Sequence, residues 1–250
     1  MTFISILILS FVEGLTEFLP VSSTGHLILT SHFLNLEQTD YLKAFEVIIQ
    51  FGAIMAVVVL YYKKFMRLDL LFYKKLVAGS APALVIGFLL KDKIDSLLDS
   101  TFVVAWSLII GGIIFIVVDH FFKPHDSKND VTLADSFKIG LIQCFALIPG
   151  VSRSGATIVG AQVLNYTKTS AAEFSFFLAV PTLTAATLYK TWKIRSIIDI
   201  NTAGQLALGT CLSFVFALIA IKFFIAVVSK YGFKWFGVYR IILGIFVLMN

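Results

Sequence analysis

Long apolar runs separated by short polar ones extend over the whole chain. Four of them are uninterrupted, and two more contain an internal proline, which a membrane helix tolerates when neighbouring groups re-satisfy the freed carbonyl. Each run has about 15–25 residues, the length of a helix that crosses a hydrocarbon layer of ~30 Å. We therefore predict six full transmembrane helices, at 47–62, 76–90, 102–118, 174–189, 205–228 and 235–249.

Two other regions are broken in the middle. Residues 2–34 and residues 136–164 each contain two apolar pieces that are too short to span a membrane alone. The breaks between the pieces are rich in Gly, Pro and Ser, and read Pro20-Val-Ser-Ser-Thr-Gly-His26 and Pro149-Gly-Val-Ser-Arg-Ser-Gly155. This pattern predicts a re-entrant helix–loop–helix in each region, or a discontinuous helix.

The two broken regions match each other at an offset of 130 residues. The matched pairs are Glu13 with Gln143, Val21 with Val151, Ser22 with Ser152 and Gly25 with Gly155. Three full spans follow each region, and three is odd, so the second half must enter the membrane from the opposite face. The pattern predicts an inverted-topology repeat with a site between its halves. Its parts are a first repeat at 1–118, a polar linker at 119–135 and a second repeat at 136–250.

The composition agrees with a membrane protein. Hydrophobic residues make up 58% of the chain and charged residues 14%, whereas soluble domains are about 45–50% apolar and about 25% charged. These values disfavour a soluble domain, a disordered chain and a nucleic-acid partner, and they predict an all-α integral membrane protein. We attribute the net charge of +5 to basic residues in cytoplasmic loops.

The basic loops also predict an orientation. Loop 63–75 carries five basic residues against one acid and is predicted to be cytoplasmic, together with loops 119–138 and 229–234. Loop 91–101 is predicted to lie outside, as is loop 190–203, although the basic residues of the latter count against it. The first broken region then opens to the exterior and the second to the cytoplasm.

Ionisable residues at membrane depth cost about 2.5–3.5 kcal/mol each on insertion scales and suggest a functional site. Glu13 and Glu17 are spaced i,i+4, so on a helix both carboxylates lie on one face. Two like charges at this spacing favour a divalent cation with oxygen ligands, Mg²⁺ or Ca²⁺. The alternative is that one acid is protonated. Glu46 and Glu173, at the starts of spans, are equally consistent with positions in the membrane interface.

Both breaks start a short helix, and a helix start presents free N–H groups to an anion. Arg153 adds a guanidinium, which suits phosphate oxygens, and His26 follows the first serine run. The predicted substrate-binding residues of the two breaks are Ser22, Thr24, Gly25, Ser152, Ser154 and Gly155. Together with the two acids, these groups indicate binding and cleavage of a lipid-borne phosphate.

The two breaks and their flanks resemble a known family. Glu13-Gly-Leu-Thr-Glu17-Phe-Leu-Pro-Val-Ser-Ser-Thr-Gly-His26 and Pro149-Gly-Val-Ser-Arg-Ser-Gly155 resemble the two signature motifs of the bacterial undecaprenyl-pyrophosphate phosphatases, the bacitracin-resistance family. The resemblance covers essentially the whole chain, including Ala44-Phe-Glu-Val-Ile-Ile-Gln50. It implies hydrolysis of undecaprenyl pyrophosphate to undecaprenyl phosphate for cell-wall synthesis, a divalent cation, and a site on the outer side of the bacterial cytoplasmic membrane.

Roles follow from the resemblance residue by residue. It implies that Glu13 and Glu17 are the acidic pair and that Arg153 binds the pyrophosphate beside Ser152 and Thr157. Ser23 and His26 are the competing nucleophile candidates. We favour Ser23 as the nucleophile or the water-positioning residue, with His26 as the base; the alternative is direct phosphorylation of His26.

A transporter or flippase of a polyprenyl phosphate is the alternative function, since many transporters have inverted repeats. The predicted partners are the lipid pyrophosphate and membrane lipid, without nucleic acid, and a homodimer is left open.

Overall fold

The computed structural model describes residues 1–97, 100–122 and 128–249, and the chain in these ranges is helical apart from short connections. A single 3-10 turn, Cys144–Leu147, lies within the second broken region. The α-helices of the described ranges are α1 (Phe3–Thr16), α2 (Ser23–Phe33), α3 (Asp40–Leu60), α4 (Tyr62–Met66), α5 (Leu70–Leu89), α6 (Lys91–Leu97), α7 (Thr101–Phe121), α8 (Leu133–Gln143), α9 (Arg153–Val163), α10 (Lys168–Ile194), α11 (Ile200–Tyr231) and α12 (Lys234–Met249).

The predicted all-α membrane protein is confirmed. Within the described ranges, α3, α5, α7, α10 and α11 are long and apolar enough to cross a membrane. The sixth predicted span, 235–249, corresponds to α12, which has 16 residues and a length of about 24 Å. The count of six spans therefore stays a prediction. Large apolar side chains are exposed on the outer faces of the long helices, where they suit lipid; examples are Phe88, Phe102, Ile110, Ile219 and Phe223.

Each broken region forms two short helices around its break. The second helix of each pair begins after a serine whose hydroxyl accepts a hydrogen bond from a backbone N–H of the first turn. Ser22 Oγ accepts from Gly25 N at 3.2 Å, and Ser152 Oγ accepts from Gly155 N at 3.0 Å. These caps satisfy N–H groups that a helix start leaves free, which is why the serine-rich breaks end where they do.

The backbone repeats at the offset found in the sequence. Helix α2 spans residues 23–33 and α9 spans residues 153–163. Each is followed by an asparagine in the left-handed conformation, Asn35 with φ 50° and Asn165 with φ 70°; asparagine adopts this conformation more readily than most residues. The first helix of each broken region packs against a long helix of the other half: α1 contacts α11, and α8 contacts α5.

The domain boundaries and the opposite orientation of the halves stay predictions. The predicted linker at 119–135 includes residues 123–127, which lie outside the described residues, as do residues 98 and 99 of the predicted outer loop.

Close helix crossings bring the first broken region against the second half. A Cβ at Gly14 would lie 2.6 Å from the backbone oxygen of Ser213 on α11, so only glycine allows this approach. Small residues at membrane helix crossings permit such packing. The end of α1, with Glu13 and Glu17, is thereby held inside the helix bundle.

Candidate active site

Three predicted residues from both halves meet at the two breaks. Glu17 follows the last residue of α1, while Ser23 and Arg153 are the first residues of α2 and α9. Arg153 Nη2 donates to Glu17 Oε1 at 2.7 Å, and Ser23 Oγ donates to Glu17 Oε2 at 2.5 Å. Glu17 is 5% exposed. One carboxylate therefore binds a hydroxyl of its own half and a guanidinium of the other.

Helix α10 also binds the Arg153 guanidinium. Arg153 Nη1 donates to the carbonyl oxygen of Ser175 at 2.8 Å. The Ser175 hydroxyl also accepts a hydrogen bond of 2.7 Å from Thr157 Oγ1, one turn further along α9. The predicted Thr157 thus acts on the site through Ser175, which the sequence reasoning did not identify.

The remaining predicted residues of the second break connect the two loops. Ser154 Oγ donates to the carbonyl oxygen of Leu19 at 3.0 Å, and Ser152 Oγ lies 2.9 Å from Ser154 Oγ. Gly25 and Gly155 supply the capped N–H groups described above. These contacts indicate that several of the predicted substrate-binding residues also hold the two breaks together.

Glu13 has a different environment. It lies one turn before Glu17, is 0% exposed, and neither of its carboxylate oxygens has a hydrogen-bond partner among the described residues. Among those residues no group of three or more His, Cys, Asp or Glu side chains is arranged to hold a metal. Two carboxylates with hydroxyls nearby still suit Mg²⁺, which usually takes one or two carboxylates and completes its shell with water and phosphate oxygens. The residues present therefore fit a divalent cation.

His26 faces away from this cluster. Its Nδ1 lies 2.7 Å from the carbonyl oxygen of Ser22, and its Nε2 lies 2.7 Å from the hydroxyl of Tyr239 on α12. A carbonyl only accepts, so Nδ1 carries the proton and neutral Nε2 accepts from Tyr239. Both ring nitrogens are thus occupied.

The two acids at the starts of spans differ from each other. Glu46 Oε1 accepts a hydrogen bond of 2.6 Å from Ser31 on α2, and its side chain lines a second cavity of about 230 Å³ beside the larger one described next. Glu173 pairs with Lys64 at 3.8 Å, and both side chains are partly exposed. Glu46 is thus bound within the helix bundle, whereas Glu173 lies at its partly exposed edge, and their positions relative to the membrane interface stay predictions.

A cavity of about 420 Å³ joins the cluster to the membrane helices. Part of its wall is polar and comes mainly from the two breaks: Glu17, Ser22, Ser23, Thr24, Ser152 and Arg153. Another part is apolar and comes mainly from α5, α10 and the 3-10 turn: Ala83, Leu84, Phe88, Ala146, Leu147, Leu183 and Ala186. His26 does not line either cavity. The arrangement suits a ligand with a polar head and an apolar tail.

The sequence reasoning missed Tyr239 and Arg240, which are adjacent on α12. Arg240 is 1% exposed, and its guanidinium donates to backbone carbonyls of both breaks. A signal for it existed, because it is a charged residue within the predicted span 235–249, the criterion that identified Arg153.

Comparisons with known proteins give one consistent result. A family model described as Bacitracin resistance protein BacA matches residues 6–246. A Bdellovibrio bacteriovorus protein named undecaprenyl-diphosphatase is 53% identical over 100% of this chain and 96% of its own length. Proteins of the same name from Persephonella marina and Porphyromonas gingivalis are 50% and 45% identical, over 100% and 98% of this chain and 99% and 95% of their own lengths.

Proposed function

The chain belongs to the bacitracin resistance protein BacA family, and we propose that Glu17, Ser23 and Arg153 form the catalytic centre of its undecaprenyl-diphosphate phosphatase activity. The enzyme is a membrane-embedded hydrolase that converts undecaprenyl diphosphate to undecaprenyl phosphate and orthophosphate, and so recycles the lipid carrier of the cell wall. The observation that carries this proposal is the contact of the Glu17 carboxylate with both Ser23 and Arg153. The transporter alternative is not favoured, since the relatives are named for hydrolysis.

The cavity suggests how the substrate lies. The diphosphate takes the polar wall, where Arg153 and the N-terminal turns of α2 and α9 supply positive charge and N–H donors. The first part of the isoprenoid chain takes the apolar wall formed by α5 and α10, and the rest extends into lipid. This division places the phosphoanhydride bond at the breaks.

Ser23 is the proposed nucleophile. Its Oγ attacks the terminal phosphorus, its proton passes to Glu17 Oε2, and the bond from phosphorus to the bridging oxygen breaks, which releases undecaprenyl phosphate. Water then hydrolyses the phosphoserine to orthophosphate and restores Ser23. Glu17 replaces His26 as the proposed base, because it is the acceptor in contact with Ser23, whereas both nitrogens of His26 are occupied. Arg153 offsets the charge that develops on the phosphoryl oxygens.

A divalent cation, Mg²⁺ or Ca²⁺, is the proposed cofactor, held by Glu13 and Glu17. It would neutralise the diphosphate and the two neighbouring acids. The support is the buried Glu13 carboxylate, whose oxygens lack any other partner among the described residues.

The purified protein in detergent is expected to release orthophosphate from undecaprenyl diphosphate with Mg²⁺, and EDTA is expected to stop the release. In Glu13→Gln, the Mg²⁺ concentration that gives half-maximal rate is expected to rise at least about tenfold, in line with the loss of metal-site groups elsewhere. Orthophosphate release that EDTA leaves unchanged would reject the cation and keep the phosphatase. Failure to release orthophosphate under any metal condition would reject the catalytic centre.

The proposed location is the bacterial cytoplasmic membrane, with the cavity open to the exterior. The support is the basic segment before α5 and the position of α6, whose Lys91 and Ile94 line the cavity. In cells that carry a variant without Cys144 and Cys211, a membrane-impermeant thiol reagent is expected to label Ser96→Cys on α6 and not Lys74→Cys at the start of α5. The reverse labelling would place the cavity on the cytoplasmic side.

A further inference from the structure

Arg240 is a buried cation that has no carboxylate partner among the residues the structure describes. It is 1% exposed, and none of the ion pairs between described residues includes it. A charge at membrane depth is costly, and it is retained where other groups satisfy its donors. The identity of those groups therefore indicates its role.

Among the described residues, its hydrogen-bond acceptors are backbone carbonyls. On α7, Nε donates to Leu108 at 3.4 Å and Nη2 to Ser107 at 3.0 Å. In the breaks, Nη1 donates to Pro20 at 3.2 Å and Nη2 to Gly150 at 3.0 Å. Non-helical backbone inside a membrane must find partners in the protein, and Arg240 supplies them to both breaks at once.

The two break carbonyls are equivalent in the repeat, because Pro20 and Gly150 are separated by the same 130 residues as the matched motifs. Pro20 lies three residues from both Glu17 and Ser23, and Gly150 lies three residues before Arg153. The Arg240 guanidinium thus sets the distance between the first break, which carries Glu17 and Ser23, and the second break, which carries Arg153.

We propose that Arg240 is the positioning residue of the phosphatase, which holds the two breaks in register so that Ser23 and Glu17 face the phosphate bound by Arg153. It does not line the cavity in which the substrate is proposed to bind. This inference rests on the proposed function. A misplacement of about 1 Å at a catalytic group can cost about 10²-fold in rate, so Arg240 acts chiefly on kcat and little on lipid binding.

Gly111 on α7 offers a test that leaves Arg240 in place. A Cβ at Gly111 would overlap with Arg240 Nη2 and lie 2.9 Å from its Cζ. Only the end of a flexible side chain must then move, and alanine favours the helix, so Gly111→Ala is expected to fold normally. Gly204→Ala is the matched control, because a Cβ there has nothing within 4 Å.

In Gly111→Ala, we expect kcat for undecaprenyl diphosphate to fall about 10- to 100-fold, the range for small misplacements. The stoichiometry of undecaprenyl phosphate binding is expected to stay as in the unaltered protein, while the unfolding temperature is expected to fall because the displaced guanidinium loses buried hydrogen bonds. Arg240→Met is expected to show the same or a larger loss of kcat. A merely structural role would instead lower binding stoichiometry and turnover together.

The proposal is overturned if Gly111→Ala keeps the unaltered kcat, or if a folded Arg240→Met does. It is also overturned if both binding stoichiometry and kcat fall in proportion in Gly111→Ala. Should Arg240→Met fail to fold, Gly111→Ala alone decides. Inactivity of the unaltered protein would reject the proposed function instead, so the two failures are distinguishable.

Discussion

Replacement of Ser23 by alanine is expected to lower kcat for undecaprenyl diphosphate by about 10⁴-fold or more, because loss of a nucleophile in a comparable hydrolase costs about 10⁶-fold. The hydroxyl lies on the polar wall of the cavity, 2.5 Å from the Glu17 carboxylate. Alanine keeps the start of α2, since the capping hydroxyl belongs to Ser22. Single-turnover release of labelled orthophosphate would measure the loss.

Ser31→Ala is the matched control on the same helix. Ser31 is also buried and its hydroxyl also bonds a carboxylate, that of Glu46, but it does not line the larger cavity. A loss of less than about tenfold is expected there, as for a group outside the reaction.

Rapid quench of the reaction in a neutral denaturant, in which phosphoserine and phosphohistidine both persist, should trap phosphate on Ser23. A stable label on His26, or Ser23→Ala activity close to that of the unaltered protein, would contradict the assignment.

Glu17→Gln is expected to lower kcat by about 10⁴-fold, the product of a lost base and a lost charge, each worth about 10²-fold or more in other enzymes. Glutamine has the shape of glutamate but neither accepts the Ser23 proton nor balances Arg153. The effect should appear at saturating Mg²⁺, because it does not depend on the cation alone. Steady-state orthophosphate release would measure it.

Glu173→Gln is the control for the Glu17 substitution. The Glu173 carboxylate is partly exposed and its ion pair with Lys64 is long, at 3.8 Å, and such pairs contribute about 0–1 kcal/mol to stability. We expect unchanged kcat. Normal turnover by Glu17→Gln would reject both proposed roles of Glu17, as the base and as a cation ligand.

The local structure was predictable from the sequence because its causes are local. The apolar runs predicted the long helices, and the breaks predicted the short helices that Ser22 and Ser152 cap. The offset of 130 residues predicted which backbone segments would correspond. The extent of α12 was predicted to within one residue, whereas α10 continues beyond its predicted span at both ends, to Lys168 and Ile194.

The candidate site was predictable in its members but not in their contacts. The salt bridge between Glu17 and Arg153 joins residues 136 positions apart, and no pattern in the sequence states that distance. The direction of the His26 ring depends on Tyr239, which is 213 residues away. Arg240 was not predicted as a site residue, because one charge hardly changes the hydropathy of a long apolar run. Charged residues inside such runs are rare, however, and each suggests a functional role.

The correspondence of α2 and α9 has a consequence for directionality. The two helices begin at equivalent positions behind equivalent serine caps, yet the first residue is a hydroxyl at Ser23 and a cation at Arg153. Glu13 has the uncharged Gln143 as its counterpart. If the two breaks had identical residues, they would bind the two phosphates of a diphosphate in the same way. Their unlike residues are therefore expected to distinguish the phosphate to be removed from the lipid-bound phosphate.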